Sequence, residues 1–292
     1  MKEHRGSIFL EDATVVDQTE FPGEQFILRV AAPESARRAI PGSFAHIQCD
    51  PDIAMRRPLS IMRADPDSGI VEFLYKVVGN GLRSLSLVPA GREISILAPI
   101  GNGFSPDSDR GSKLMLGGGV GIPPINFLAE QLQQSGFDTS KALVLIGSEV
   151  PFPFQTTVSK LPVAGIAEDV SKTMPLLENL NIPARLASLQ GYDGCHRGYV
   201  TDLAKLWLAA MPDGARDDIE MFACGPEPML HAAAMVAKEF SIPCQLCLEE
   251  FMACAVGGCA GCTVPVYAAG TVSMKRVCVD GPVFAADTIY ID

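Results

Sequence analysis

The sequence lacks the marks of several large classes. No apolar run approaches the roughly eighteen uninterrupted residues of a membrane-spanning helix; the most apolar candidates, such as LHAAAMVA after Met229, are short and helix-like. Positive charge is scarce, 23 Lys and Arg against 34 Asp and Glu for a formal −11. That balance argues against a nucleic-acid binder or a polybasic membrane-surface protein. The opening stretch, MKEHRGSIFLEDATVV, has no apolar core and no small-residue cleavage site, so no secretory leader is expected. There is no internal repeat and no low-complexity tract. What remains is an ordinary globular composition, 48% hydrophobic and 20% charged, over 292 residues, a length that suits two domains of common size. Cysteine is the exception: there are nine, and six fall between Cys244 and Cys278. In a soluble cytoplasmic chain, the compartment these features predict, an odd count indicates metal-binding or catalytic chemistry before a disulfide framework.

Along the chain, the first hundred residues read as β-rich. GSIFLEDATVVDQ, QFILRVAA, FAHIQC, GIVEFLYKVV and REISILAPI alternate with turn signals FPGE, IPGS, DPDSG and VPAG, a spacing that predicts a sandwich or barrel. The polar PDSDRGS, Pro106 to Ser112, reads as an inter-domain linker. Beyond it, KLMLGGG, a helix from about Ile125 to Gln134, KALVLIGSE, IPARLASL, the helical VTDLAKLWLAA and DIEMFACGP alternate as strands and helices of a parallel α/β domain. From Cys244 the chain is rich in cysteine and glycine. The predicted division is 1–107, 108–243 and 244–292.

Cys254, Cys259, Cys262 and Cys278 follow C-x4-C-x2-C with a distant fourth cysteine, the plant-type spacing for a [2Fe–2S] cluster. A binuclear cluster needs two thiolates per iron: a tight loop supplies three, and the fourth arrives from a separate element. Gly257, Gly258 and Gly261 suit a loop that turns amides toward sulfur and needs positive φ. A four-cysteine zinc site is the competing reading, though the spacing matches paired zinc knuckles poorly. Cys244 and Cys247 form a further C-x2-C that reads as a second ligand pair, a redox couple or residues beside the cluster loop. Cys49, Cys195 and Cys224 read as core or near-ligand positions.

Two glycine turns look built for nucleotides. Gly117, Gly118, Gly119, Val120, Gly121 and Pro123 sit where a strand passes into a helix, so that backbone and helix N-terminus face a pyrophosphate. Cys224, Gly225, Pro226 and Met229 form a second such turn. Alone, either turn reads equally well as a packing device. Glu149, after the strand ALVLIG, is placed to accept from an adenosine ribose and to repel a 2′-phosphate, which favours NAD over NADP; an exposed loop glutamate is the alternative. In the β-rich part, Arg57, Pro58, Leu59 and Ser60 combine a guanidinium suited to phosphate with a hydroxyl.

Together, RPLS, GGGVGIPP, CGPEPM and the C-terminal cysteines resemble the ferredoxin–NADP reductase superfamily. More narrowly, LEEFMACAVGGCAGCTVPV followed by KRVCVDGPVF resembles the electron-transfer subunits of NAD-dependent (class 1B) dihydroorotate dehydrogenases, over essentially the whole chain. The resemblance implies an FAD-binding antiparallel β-barrel, a Rossmann-like NAD-binding domain and a small [2Fe–2S] domain. It implies FAD contacts at Arg57 to Ser60, at Leu74, Tyr75 and Lys76, and near Gly81 and Leu82. NAD is implied over Gly117 to Pro123 and at Cys224 to Met229, with Cys224 at the nicotinamide edge. Two positions depart from the family: Leu82 where threonine is common, and Phe251 where arginine is usual. The implied partner is an FMN-containing catalytic subunit that oxidises dihydroorotate in pyrimidine (UMP) biosynthesis, in a heterotetramer of two of each. No acid–base residue for that oxidation is expected on this chain. The rivals are the FAD and cluster subunit of an NAD(P)H:ferredoxin or hydrogenase-type complex, and a zinc-stabilised nucleotide-binding regulator.

Overall fold

The computed structural model describes residues 7–212 and 214–290, so the leader-free opening expected above lies partly outside the described residues. β1 (Phe9–Phe21), β2 (Gln25–Ala31), β3 (Phe44–Ile47), β4 (Arg57–Asp65), β5 (Ile70–Lys76) and β6 (Glu93–Ile100) close into a barrel in the order β1-β2-β5-β4-β3-β6, antiparallel throughout. Alternation sends Leu28, Ile47, Ile61, Phe73 and Ile96 into its core. Two helices were not foreseen from the sequence, α1 (Pro33–Arg38) and α2 (Gly79–Ser86). The second buries Leu82 and Leu85 against the barrel core.

The second unit is a six-stranded sheet. β7 (Ser112–Gly118), α3 (Ile122–Gln134) and β8 (Ala142–Gly147) begin it. A two-stranded annex, β9 (Thr157–Val158) with β10 (Lys172–Thr173), and α4 (Pro175–Asn179) precede β11 (Ala184–Ala187). Next come α5 (Val200–Ala209), β12 (Ile219–Cys224), α6 (Glu227–Glu239) and β13 (Cys244–Cys247). The strand order is β11-β8-β7-β12-β13-β16, parallel except for β16 (Val283–Ala285). The chain therefore runs outward from β7 and returns on its other side as β12. That reversal of strand order between neighbours opens a crevice at their carboxyl ends.

The linker expected at Pro106–Ser112 is laced to the sheet. The Lys113 ammonium donates to the Asp107 carbonyl (2.7 Å) and to the Glu220 carboxylate (3.0 Å). Glu220 also accepts from the Asp107 amide and the Gln245 side chain. Arg63 on the barrel pairs with Glu130 on α3 at 3.0 Å.

The predicted division at 244 falls inside this sheet: β13 pairs with β12, and the chain comes back as β16 on β13. Between them lie the cysteine loop and a hairpin, β14 (Thr263–Ala268) with β15 (Thr271–Arg276); α7 (Ala286–Ile289) closes the fold against α6 and β14. The cysteine-rich part is thus an excursion from the edge of the sheet and not a free tail. Among the described residues no helix is long and apolar enough to cross a membrane.

Candidate functional site

On the barrel, two neighbouring arginines have different employment. The Arg56 guanidinium is consumed internally, donating to the carbonyls of His46 (3.1 Å) and Ser95 (2.9 Å) and to the Ser95 hydroxyl. Arg57 donates to the nearby carbonyls of Met55 (2.7 Å) and Arg56 (3.3 Å), and its guanidinium lies across the start of α2, 3.2 Å from where a Cβ on Gly81 would stand. That helix has no side-chain cap, and Gly79 enters it at φ +70. Uncapped amides, a positive dipole end and a guanidinium converge on one spot, a donor set that fits a diphosphate.

Of the other expected flavin contacts, Pro58 and Ser60 alternate outward, while Leu59 and Tyr75 face the barrel core. The Tyr75 hydroxyl donates to Gln18 at 2.6 Å and its ring stacks on Phe26, so only its backbone is free to meet a ligand. Leu74 packs toward α3 and Lys76 is half-buried. Leu82, where the family often has a hydroxyl, fills the barrel core.

In the sheet, β7 and β12 are adjacent, with Gly117 opposite Cys224. The turns that follow them press together. A Cβ on Gly121 would lie 2.4 Å from the backbone of Cys224 and Gly225, and one on Gly118 would lie 2.3 Å from the Met229 sulfur. Gly119 adopts φ +54 with nothing within 4 Å of its Cβ position, leaving an open cradle for an extended ligand. The expected helix-terminal amides are fewer than the turn promised, since Pro123 and Pro124 remove two from the first turn of α3. The cradle therefore relies on the amides of the turn itself. Val120 is half-buried there, Pro226 is exposed, and Glu149 is exposed at the end of β8, its carbonyl accepting from Gln190 (3.2 Å). Cys224 is fully buried. Its thiol is held well above the ordinary range first by a hydrogen bond with Cys247, then by burial.

The cysteine loop leaves directly from β13. The Cys254 sulfur accepts from the amides of Gly258 (3.3 Å) and Cys259 (3.4 Å), and the Cys259 sulfur from the Gly261 amide (3.4 Å). Burial opposes ionisation of Cys254, but these amides prevail and draw its thiol down to about 7. Cys262 is tied to the turn that carries the fourth cysteine by the Val277 amide donating to its carbonyl (2.9 Å). Burial, then contact with Cys262, pushes the Cys278 thiol up to about 12. Cys254 interacts with Cys259, and Cys278 first with Cys262 and then with Cys254. Among the described residues no three His, Cys, Asp or Glu side chains gather around one point. Four cysteine sulfurs on one loop and on the turn after β15 are a donor set whose chemistry fits a binuclear centre.

The glycines do not all serve as expected. Gly257 has φ +78, but the other left-handed positions of the loop are Ala255 and Ala260. Gly258 and Gly261 each turn an amide to sulfur, but a Cβ there would meet Cys254 at 4.0 Å and Cys259 at 3.5 Å, ordinary contacts that do not demand glycine.

Cys244 and Cys247 are not a chelating pair. Three residues apart on a strand, they point to opposite faces and belong to different apolar clusters. Residues unmarked by sequence reasoning are His46 and Asn102. The buried imidazole of His46 is held below its ordinary pKa by burial, opposed by hydrogen bonding to the Met252 backbone two residues before Cys254. Asn102 meets the chain just after Cys278.

An antiparallel barrel with a phosphate-fitted helix end, a parallel sheet opening at its switch point and a cysteine-bearing excursion define a flavin- and nucleotide-dependent reductase with an iron–sulfur unit. Solved structures agree in fold. The NADH-dependent reduced ferredoxin–NADP oxidoreductase superposes with a TM-score of 0.74 at 25% identity, covering 96% of this chain and 90% of that one. The ferredoxin reductase of carbazole 1,9a-dioxygenase gives 0.60 at 18% identity, covering 80% and 67%. The profile "Iron-sulfur cluster binding domain of dihydroorotate dehydrogenase B" matches residues 249–290. The chain is 31% identical to the dihydroorotate dehydrogenase B (NAD(+)) electron transfer subunit of Listeria monocytogenes, covering 95% of this chain and 97% of that protein. It is 32% identical to the subunit of the same name from a Geobacillus species, covering 86% and 87%. The chain belongs to this family of electron-transfer subunits.

Proposed function

We propose that the chain relays electrons between NAD and a partner subunit that oxidises dihydroorotate to orotate, in the pathway to UMP. The observation that carries this reading is the cysteine excursion, which leaves the sheet from β13, where Cys247 lies opposite Cys224. When bound, FAD accepts two electrons as a hydride and gives them up singly, and the cluster takes them one at a time. The protein's own residues hold and insulate these groups. Arg57 and the α2 amides fix the FAD diphosphate, with Pro58, Leu59, Ser60, Leu74, Tyr75 and Lys76 along the flavin. Gly117 to Gly121 and Cys224 to Met229 cradle NAD, and Glu149 favours it over NADP. Cys254, Cys259, Cys262 and Cys278 hold the cluster.

The partner carries FMN, and the complex contains two of each chain, as the family resemblance implies. Phe251, 94% exposed at the root of the cysteine loop, offers an aromatic face where that partner must approach. A reducing, cytoplasmic setting suits cysteines that must stay thiolates to hold a cluster. The three units are best divided near 107 and, from the sheet pairing, just after β13 in place of 244.

A second reading draws on the ferredoxin-linked structure that superposes over most of the chain: the partner is a ferredoxin-type complex. Anaerobic purification with native partners separates the two. The first reading expects flavin, iron, acid-labile sulfide, NADH-diaphorase activity and a co-purifying dihydroorotate-oxidising flavoprotein. A chain with zinc in place of iron and sulfide, or with no flavin, sinks both.

A further inference from the structure

Between the end of the barrel and the cluster unit runs a continuous hydrogen-bond chain. β6 ends at Ile100, and Gly101 follows at φ +96, so close to the segment after Cys278 that a Cβ there would stand 2.4 Å from Pro282. Asn102 then binds that segment with its backbone and side chain. Its amide donates to the Gly281 carbonyl (2.6 Å), and its carbonyl accepts from Val283 (3.4 Å). The side-chain nitrogen donates to two consecutive carbonyls, Val279 (3.3 Å) and Asp280 (3.2 Å). The Asp280 carboxylate accepts from the Arg276 backbone (2.9 Å) and guanidinium (3.3 Å), and Arg276 donates onward to the Gly257 carbonyl (2.9 Å). A connected path thus runs from the barrel, past Cys278, into the loop between Cys254 and Cys259.

We propose that Asn102 is a positioning residue for electron transfer: by gripping the two carbonyls that follow Cys278, it fixes the cluster unit against the barrel and sets the gap between flavin and cluster. The inference rests on the functional reading above. A side-chain amide presents two donors on one nitrogen to the two carbonyls, whereas a carboxylate would face them with none. The need is physical. The cysteine loop is irregular and its hairpin exposes Val272 and Met274, so the unit has little core of its own to hold it in place. Pairing with the sheet anchors it on one side, through Leu248 donating to Pro282 (2.9 Å); Asn102 anchors it on the barrel side. Per NADH, a hydride brings two electrons and one proton to the flavin. With FAD and cluster bound, the two electrons would leave the flavin singly through the cluster, which would hand the first to the partner's electron acceptor before taking the second, and the proton would go to solvent.

The test uses the full chain carrying FAD and cluster, as wild type, Asn102→Ala and Asn102→Gln. Amide exchange over 277–284 should rise about tenfold in Asn102→Ala, the opening expected on losing two ordinary hydrogen bonds, and less in Asn102→Gln, which keeps both donors. On rapid mixing with NADH, bleaching of the flavin should keep its wild-type rate while reduction of the cluster slows several-fold. Unchanged exchange overturns the proposal, and so does raised exchange with an unchanged cluster phase. If Asn102→Ala loses its cluster, exchange is compared on cluster-free chains, and equal protection in all three overturns it. A wild-type chain without flavin or cluster refutes the functional reading itself, a result distinct from either.

Discussion

Replacing Gly121 with alanine probes how tightly the two nucleotide turns are joined. Gly121 has φ −85 and ψ −1, a conformation alanine adopts freely, so the cost comes from contact and not from backbone preference. The new methyl would stand 2.4 Å from the carbonyl carbon and oxygen of Cys224 and from the Gly225 nitrogen. These are backbone atoms at the end of a central strand and cannot swing aside. Reaching ordinary contact at 3.4 Å requires the turns to part by about 1 Å. Overpacking of this kind costs ~1–3 kcal/mol, and rigid surroundings place Gly121 at the upper end. At roughly 2–4 °C per kcal/mol for a chain of this size, Tm falls by about 6 °C or more. NAD affinity, followed by quenching of flavin fluorescence, drops at least about tenfold, which is ~1.4 kcal/mol. Gly118→Ala is the control. Its methyl would meet the Met229 sulfur at 2.3 Å, the far end of a flexible side chain, so a rotamer change of ~1 kcal/mol relieves it. Near-wild-type Tm and NAD affinity in Gly121→Ala, or a larger loss of Tm in Gly118→Ala, refutes the reasoning.

Other outcomes follow from the same geometry. Cys244→Ser and Cys247→Ala keep wild-type iron and sulfide, whereas Cys254→Ser or Cys278→Ser loses them; metal analysis showing iron loss in the first pair places the ligands elsewhere. Arg57→Ala weakens FAD binding by roughly tenfold or more, as loss of a charge-assisted contact does, with little change in Tm. Arg56→Ala instead lowers Tm, because three acceptors lose their donor; the reverse pattern contradicts the division of labour. Burial keeps His46 neutral below the pH at which a free imidazole, near 6.5, takes up a proton. The unfolded chain therefore binds that proton first, and acidification below about pH 6.5 favours unfolding through this group. His46→Gln should show a smaller fall in Tm between about pH 7.5 and 5.5; an equal or steeper fall removes the assignment.

Legibility in the sequence followed physical cause. The strand–glycine–helix passages at Gly117–Pro123 and Cys224–Met229 could be read because each step has local chemistry. β4 was harder, since Arg56, Arg57 and Pro58 interrupt any apolar run. Pro58 is tolerated because pairing with β5 begins only at Ile61, which leaves its missing N–H on the unpaired side. α2 was invisible: Gly79-Asn80-Gly81 has turn chemistry, and the helix is held by Leu82 and Leu85 in the barrel core. Cys244 and Cys247 imitate a ligand motif while acting as small apolar strand residues, and spacing alone cannot separate the two uses. Positive φ at Ala255 and Ala260 defied composition altogether. There the amides aimed at sulfur fix the backbone and the side chains only tolerate it.

The strand order explains why three cofactor sites on one chain can act in series. β7, β12 and β13 are neighbours and parallel, so their carboxyl ends lie side by side. From the first departs the glycine cradle, from the second the turn carrying Cys224, and from the third the loop carrying Cys254, Cys259 and Cys262. The barrel reaches that edge twice, through Leu74 packed toward α3 and through Asn102 on the turn after Cys278. A cluster unit hung beyond an independent terminus would need a linker and a docking surface to come within range of a flavin. One that leaves the sheet at β13 and returns as β16 is delivered there by the same hydrogen bonds that make the sheet. Proximity is therefore a property of the topology, and side chains such as Asn102 have only to refine it.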